Sequence, residues 1–279
     1  MAIRLAVIGD PIEHSLSPVI HKAALDCENE AWTYEKIRVE RGKLGEFLKN
    51  GAARTLLGFN VTMPHKVDII PLLDGIDDEA KRFNSVNTVR VKDGRMIGFS
   101  TDGIGCSRAV SEHGRHFSDS RIVILGAGGA ASCAALKAAS EGAAAITVLN
   151  RTAAAAERLA KNVSDRCGFS VKTGGMTAEE MHAACAECDI LINSTPLGMH
   201  GVDADFSDLS FLGELGADAL VFDMIYNPSE TRFLAKARGL GLDTMNGLDM
   251  LIYQGFAADE IFLEKKLDFA ALKEKIELK

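Results

Sequence analysis

Short apolar runs alternate with stretches of helical period along almost the whole chain. Arg4–Ile8, Thr33–Arg38 and Leu56–Val61 read as strands, with Pro18–Cys27 and Leu44–Asn50 as helices between them. This alternation predicts an α/β sheet with mostly parallel strands, since a helical crossover returns the chain to the sheet in the same direction. Val86–Lys92 and Met96–Phe99 flank Asp93-Gly94, a dipeptide that accepts the backbone of a two-residue hairpin turn. The first sheet therefore gains an antiparallel piece. Thr101–Glu112 reads as a connecting helix, after which the pattern starts afresh.

Arg121–Leu125 reads as a buried strand that turns on Gly126, Ala127, Gly128, Gly129, Ala130 and Ala131 into a helix running to about Glu141. Gly126 permits a sharp exit from the strand, Gly128 lets backbone N–H groups approach a pyrophosphate, and small Ala131 suits close helix packing. Plain tight turns carry similar residues, so the next strand matters. Ala145–Leu149 supplies it and ends in Asn150-Arg151-Thr152, where a ribose-binding carboxylate usually stands in an NAD site. Arg151 offers a charged planar fork instead, which suits the 2′-phosphate of NADP. An alanine-rich helical stretch follows at Ala153–Lys161, then strands at Ile190–Asn193, Leu220–Asp223 and Leu242–Met245, and helices at Met250–Phe262 and Phe269–Ile276. The expected organisation is a mostly parallel α/β domain over 1–103, a Rossmann-type dinucleotide domain over 104–246, and C-terminal helices over 247–279 that return to the first domain.

Composition narrows the class. With 279 residues, 47% hydrophobic and 25% charged, the chain can bury a sizeable core. A net charge of −8 and the lack of a basic, aromatic-interleaved patch argue against nucleic acid as a partner. Met1–Gly9 suits a first strand better than a secretory leader, and no apolar run reaches membrane-spanning length, so a cytoplasmic protein without membrane contact is expected. The six scattered cysteines suit reduced thiols. His182, Cys185 and Cys188 have ligand-like spacing, but no second pair completes a tetrahedral site, and no metal is expected. No interface stripe stands out, which leaves monomer or homodimer.

Three segments offer chemistry. Asn60-Val61-Thr62-Met63-Pro64-His65-Lys66 lies at the carboxyl end of a strand, the edge where open α/β sheets place ligands. Asp102 ends the hairpin and opens the connecting helix; it either caps that helix or holds Lys66 in its cationic form. His14-Ser15-Leu16-Ser17-Pro18 enters a helix with Ser17 as N-cap and Pro18 at the first helical position, and its two hydroxyls also suit a small carboxylate.

Taken together, HSLSP, NVTMPHK, VNTV (86–89), TDG, GAGGAA, NRT, NSTPLGM (193–199), DMIYNPSET (223–231) and MLIYQ (250–254) occur in the order seen in shikimate dehydrogenases, and the resemblance spans essentially the whole chain. It implies a reversible, NADP-dependent reduction of 3-dehydroshikimate to shikimate in aromatic amino-acid precursor synthesis. Carried over by motif, Ser15 and Ser17, helped by Tyr226, bind the substrate carboxylate. Asn60, Thr62, Asn87, Asp102 and Gln254 contact its hydroxyl or carbonyl groups, and Lys66 and Asp102 form the catalytic pair. Gly126, Ala127, Gly128, Gly129, Ala130 and Ala131 hold the pyrophosphate; Asn150, Arg151 and Thr152 take the adenosine phosphate end; Thr195, Met224 and Gly247 complete the cofactor site.

Charge flow fits those roles. Hydride arriving at a ketone carbon leaves negative charge on its oxygen, so a cation and proton donor beside that oxygen lowers the barrier. In oxidation the same group must take a proton back, and a lysine with a reference pKa of roughly 10.4 needs that value lowered or a water relay. Proton transfer and charge anchoring are both open to Lys66. The sequence departs from the family pattern at Ser100, in place of Asn, and at Asn84-Ser85, in place of Gly-Ala. These neighbour expected substrate contacts and point to altered reading of the ring substituents. Ala155 replaces a second basic residue common in NADP-specific members, which implies secondary use of NAD. Two alternatives are a dehydrogenase for quinate or a related ring acid, and a non-catalytic NADP sensor; the retention of Lys66, Asp102 and Gln254 opposes the sensor.

Overall fold

In the computed structural model, which describes residues 2–51 and 53–276, the chain forms two units: residues up to Gly105 with those from Ile252 onward, and Cys106–Leu251. The first begins with β1 (Ile3–Gly9), α1 (Ser17–Leu25), β2 (Trp32–Arg38), α2 (Leu44–Lys49) and β3 (Gly58–Val61). Then come β4 (Gly75–Ile76), α3 (Asp78–Phe83), β5 (Thr88–Lys92), β6 (Arg95–Phe99) and α4 (Asp102–Glu112), which runs on into the second unit.

Its sheet has the order β2-β1-β3-β5-β6-β4. β1 pairs in parallel with β2 and β3, β5 pairs antiparallel with β3 and β6, and β4 lies parallel to β6. The hairpin forms at Asp93-Gly94, where both residues have positive φ (51° and 75°) as a two-residue turn requires. β1 is apolar on both faces because both are covered. Ala6 and Ile8 pack with Phe59, Val61, Val86 and Met96, while Leu5 packs with Leu25, Ala258 and Phe262. The predicted strand Leu56–Val61 starts two residues late, because a 3₁₀ turn occupies 53–55. The short β4 and α3, the latter capped by Asp77 accepting from the Ala80 amide at 2.8 Å, escape the apolar pattern because both are brief.

The second unit continues with β7 (Arg121–Leu125), α5 (Gly129–Ser140), β8 (Ala145–Leu149), α6 (Ala153–Cys167), β9 (Lys172–Gly174), α7 (Ala178–Cys185), β10 (Ile190–Asn193), β11 (Leu220–Asp223), α8 (Arg232–Gly239) and β12 (Asp243–Met245). All its strands are parallel, in the order β12-β11-β10-β7-β8-β9. The order reverses beside β7, the switch point where such sheets bind nucleotides, and Gly126 leaves β7 there. α9 (Leu248–Leu263) and α10 (Phe269–Lys273) finish the chain. From Ile252 onward these residues belong to the first unit, where Phe269 stacks near Tyr253 and Phe256 with centroids 6.1 and 5.5 Å apart. No helix among the described residues is long and apolar enough to cross a membrane.

Candidate active site

β3 delivers Asn60 and Val61 to the carboxyl edge of the first sheet, and the chain then turns through Thr62, Met63 and Pro64 to Lys66. The Thr62 amide donates to the Ile8 carbonyl at 2.9 Å, and the Val86 amide donates to the Lys66 carbonyl at 2.8 Å. His65 is buried, and its Nε2 lies 2.6 Å from the Val39 carbonyl oxygen. That bond anchors the turn from inside, so the neighbouring lysine projects from a fixed backbone. No apolar period points to His65; its role is tertiary.

Lys66 Nζ donates to Asp102 Oδ2 at 2.6 Å, with the side chains 31% and 17% exposed. Of the two roles left open for Asp102, holding the lysine is the one realised, although Asp102 is also the first residue of α4. Its other oxygen accepts from Asn87 Nδ2 at 2.9 Å. The same amide nitrogen lies 3.1 Å from Gln254 Oε1 on α9. Asn87 Oδ1 accepts from the Thr101 amide at 2.8 Å, and the Thr101 hydroxyl donates to the Gln254 carbonyl at 2.9 Å. Four of the sequence-predicted residues, Lys66, Asp102, Asn87 and Gln254, thus meet in one network. Thr101, fully buried between them, escapes a reading of the sequence because a lone threonine carries no pattern.

Asn60 joins the network through its amide, which faces the Asn87 carbonyl at 3.4 Å and the Thr88 hydroxyl at 3.3 Å. At the start of α1 one expectation needs correction. Ser17 is the first helical residue and Leu16 holds the cap position with no capping side chain. Ser15 Oγ instead accepts from the Ser17 amide at 3.3 Å and donates to Ser17 Oγ at 3.1 Å. Both hydroxyls therefore sit at the helix entrance, where amide groups also favour an anion.

Two departures from the family pattern have different physical meanings. Asn84 ends α3 in the left-handed conformation (φ 50°, ψ 44°), a position asparagine tolerates in place of glycine. Its presence is conformational and needs no altered substrate. Ser100 is buried, with no hydrogen-bond partner for its Oγ among the described residues.

In the second unit, the loop after β7 tests whether a dinucleotide fits. Gly126 has φ +105°, and a Cβ there would lie 2.7 Å from Ser194 Oγ, so the turn and the loop after β10 approach too closely for any side chain. Side-chain atoms added at Gly128 or Gly129 would instead meet open space over the amino end of α5, where Gly128 is the N-cap and no acidic residue occupies the first turn. Ala127 and Ala130 flank this entrance, and Ala131 is buried beneath it. That open, donor-rich cradle suits a pyrophosphate. Arg151 and Thr152 are exposed past the end of β8, with the Asn150 side chain donating to the Thr152 carbonyl at 2.9 Å. Ala155 lies in the first turn of α6, which is likewise free of acidic residues.

The ends of β10 and β11 are tied by a buried carboxylate that the sequence does not single out. Asp223 accepts from Asn193 Nδ2 at 3.0 Å, the Ile225 amide at 3.1 Å and the Thr231 hydroxyl at 2.6 Å. Asn193 Oδ1 in turn accepts from the Thr195 amide and hydroxyl at 3.0 and 2.7 Å. Burial pushes the Asp223 carboxyl up to about 6 against these hydrogen bonds. Gly247 packs so close that a Cβ would lie 2.0 Å from the Met224 carbonyl oxygen, bringing those two predicted cofactor residues together. Tyr226, expected to help with the carboxylate, is carried by this second unit and is 41% exposed. His182 hydrogen-bonds Glu214 at 2.9 Å and Ser210 at 3.0 Å, while Cys185 and Cys188 lie in the core, where burial raises both thiols, Cys185 to about 12.

Comparison with known proteins follows the same division. A family model described as the shikimate dehydrogenase substrate binding domain matches residues 7–89, and one described as shikimate / quinate 5-dehydrogenase matches residues 108–201. The chain is 37% identical over 277 residues to a shikimate dehydrogenase (NADP(+)) of Methanococcus maripaludis, spanning 99% of this chain and 96% of the relative. A shikimate 5-dehydrogenase of Listeria monocytogenes solved with shikimate and NAD is similar with a TM-score of 0.90 at 31% identity, over 99% of this chain and 96% of that one. A shikimate 5-dehydrogenase of Thermus thermophilus solved with NADP(H) and shikimate gives a TM-score of 0.84 at 30% identity, over 98% and 97%.

Proposed function

The chain belongs to the shikimate dehydrogenase family, and from that premise we propose that it reduces 3-dehydroshikimate reversibly to shikimate with NADPH. The observation that carries this reading is the Lys66–Asp102 pair at 2.6 Å, with Asn87 fixed on the same carboxylate and Gln254 on the same amide. A network of that kind holds one ammonium in one place, which is what a developing alkoxide needs.

Bound NADPH supplies the hydride that the ketone carbon accepts. Lys66 presents its N–H groups to the carbonyl oxygen and stabilises the charge that grows there. Asp102 aims the lysine, which gives a proton to the alkoxide oxygen in reduction and, as the neutral amine so formed, takes the hydroxyl proton back in oxidation. Asn87 and Gln254 read the ring hydroxyls with donor and acceptor groups already oriented by Thr101. Ser15 and Ser17 at the entrance of α1 take the carboxylate, and Asn60 and Thr62 contact the hydroxyl or carbonyl groups.

On the second unit, Gly126 to Ala131 would hold the pyrophosphate, Arg151 with Asn150 and Thr152 would bind the 2′-phosphate, and Thr195, Met224 and Gly247 would complete the cofactor site. With Ala155 giving no second cation, NAD serves as a secondary cofactor.

The test is reduction of NADP⁺ and of NAD⁺ by purified protein, followed spectrophotometrically with shikimate and then quinate. Turnover of shikimate, faster with NADP⁺, is expected. Faster turnover of quinate would move the assignment to the quinate enzymes, and no turnover of either acid would overturn it.

A further inference from the structure

Behind Asn60 stands a group of side chains that the reaction as written does not use. The Tyr34 hydroxyl on β2 donates to Asn60 Oδ1 at 2.7 Å. The Tyr34 ring stacks on the His21 imidazole, with centroids 4.6 Å apart and 15° between the planes. His21 Nδ1 lies 2.6 Å from Asp259 Oδ1, with these side chains 1% and 0% exposed. His21 Nε2 and Asp259 Oδ2 are buried without a hydrogen-bond partner among the described residues. Elements α1, β2, β3 and α9 therefore converge on one phenol. Burial, and then the Asp259 carboxylate, push that phenol well above its usual range, so it stays a neutral O–H.

An asparagine amide has two ends of similar shape and opposite polarity, so its usefulness to a ligand depends on which way it faces. The Tyr34 hydrogen is committed to Asn60 Oδ1 at 2.7 Å. The amide nitrogen then faces the Asn87 carbonyl and the Thr88 hydroxyl at 3.4 and 3.3 Å. We propose that Tyr34 is a positioning residue for the ring acid: its hydroxyl sets the polarity of the Asn60 amide that the ligand meets. The His21–Asp259 pair holds the Tyr34 ring in register for this. A ligand meeting groups already oriented loses less free energy in ordering them, and the effect belongs to binding rather than to hydride transfer. This inference rests on the function proposed above.

Tyr34→Phe removes the hydroxyl and keeps the ring on His21. Steady-state oxidation of shikimate by this variant should show a KM for shikimate raised about fivefold to tenfold, with kcat and the KM for NADP⁺ within about twofold of the unmodified enzyme. In an Asn60→Ala background the same change should add less than about twofold, because the group it orients is gone. A shikimate KM left unchanged, a fall in kcat with both KM values altered, or effects that multiply independently in the double variant would each overturn the inference alone. Failure of the unmodified enzyme to oxidise shikimate would remove the function proposed above, and this inference with it.

Discussion

The two units build their sites from opposite materials. In the first, polar side chains are locked to one another: Lys66, Asp102, Asn87, Thr101 and Gln254 share hydrogen bonds of 2.6 to 3.1 Å, and each fixes the rotamer of the next. In the second, the loop after β7 offers backbone, glycine and open space, and the charged residue assigned to the cofactor, Arg151, is exposed. The difference teaches where selectivity resides. A site made of interlocked side chains discriminates among small ring acids and loses function when any partner is cut. A site made of amide groups and a surface cation accepts dinucleotides as a class and tunes between them weakly.

Cutting the first network should have the largest effect. Asp102→Asn keeps the shape and removes the charge that orients Lys66, so kcat for shikimate oxidation should fall about 10³-fold while NADPH binding, measured by fluorescence titration, stays within about twofold. Equal losses in both would show that the network is scaffold and would erase the contrast between the units.

The second unit has one interlocked polar group of its own, and its chemistry sharpens the comparison. Because the Asp223 carboxyl is raised to about 6 from 3.8, the folded state favours its protonated form. Its favourable contribution is present below pH about 4, is lost as pH rises to about 6, and leaves a cost of about 3 kcal/mol at pH 7. Asp223→Asn should therefore melt several degrees higher than the unmodified protein at pH 7, with the gap closing by pH 4. A gap independent of pH would mean that Asp223 is ionised without penalty. Activity should survive this change, since the network shapes loops and performs no chemistry.

The smallest effect belongs to the surface cation. Arg151→Ala should raise the KM for NADP⁺ about tenfold and leave that for NAD⁺ nearly unchanged, the value of one exposed phosphate contact. An equal rise for both cofactors would make Arg151 a structural residue and would place the cofactor preference elsewhere.

What can be read from the sequence divides along physical lines. Buried parallel strands such as Arg121–Leu125 and Ile190–Asn193 announce themselves as apolar runs, and Asp93-Gly94 announces a turn, because both signals are local. α7 also carries a local signal: Thr177 and Glu180 form a reciprocal capping box, with Thr177 Oγ1 accepting from the Glu180 amide at 3.3 Å. The short β9 and β4 carry none, since two or three residues have no period. Among site residues, those on motifs are legible as types, but their partners are not. Asp102 is ambiguous between cap and counter-ion until the fold sets it 2.6 Å from Lys66. Ser17 reads as a cap because Pro18 follows it, yet it stands one position inside the helix. His65, Tyr34, Thr101 and Asp223 act through contacts between residues distant in the chain, which no window of sequence contains.

On the function proposed above, the first unit performs the proton and charge work and the second presents the cofactor. Lys66→Ala tests it most directly, with kcat for shikimate oxidation and NADPH affinity measured on the same preparation. We expect kcat to fall at least about 10³-fold with the NADPH Kd within about twofold. Retention of kcat within about tenfold, or a parallel loss of NADPH binding, would contradict the account.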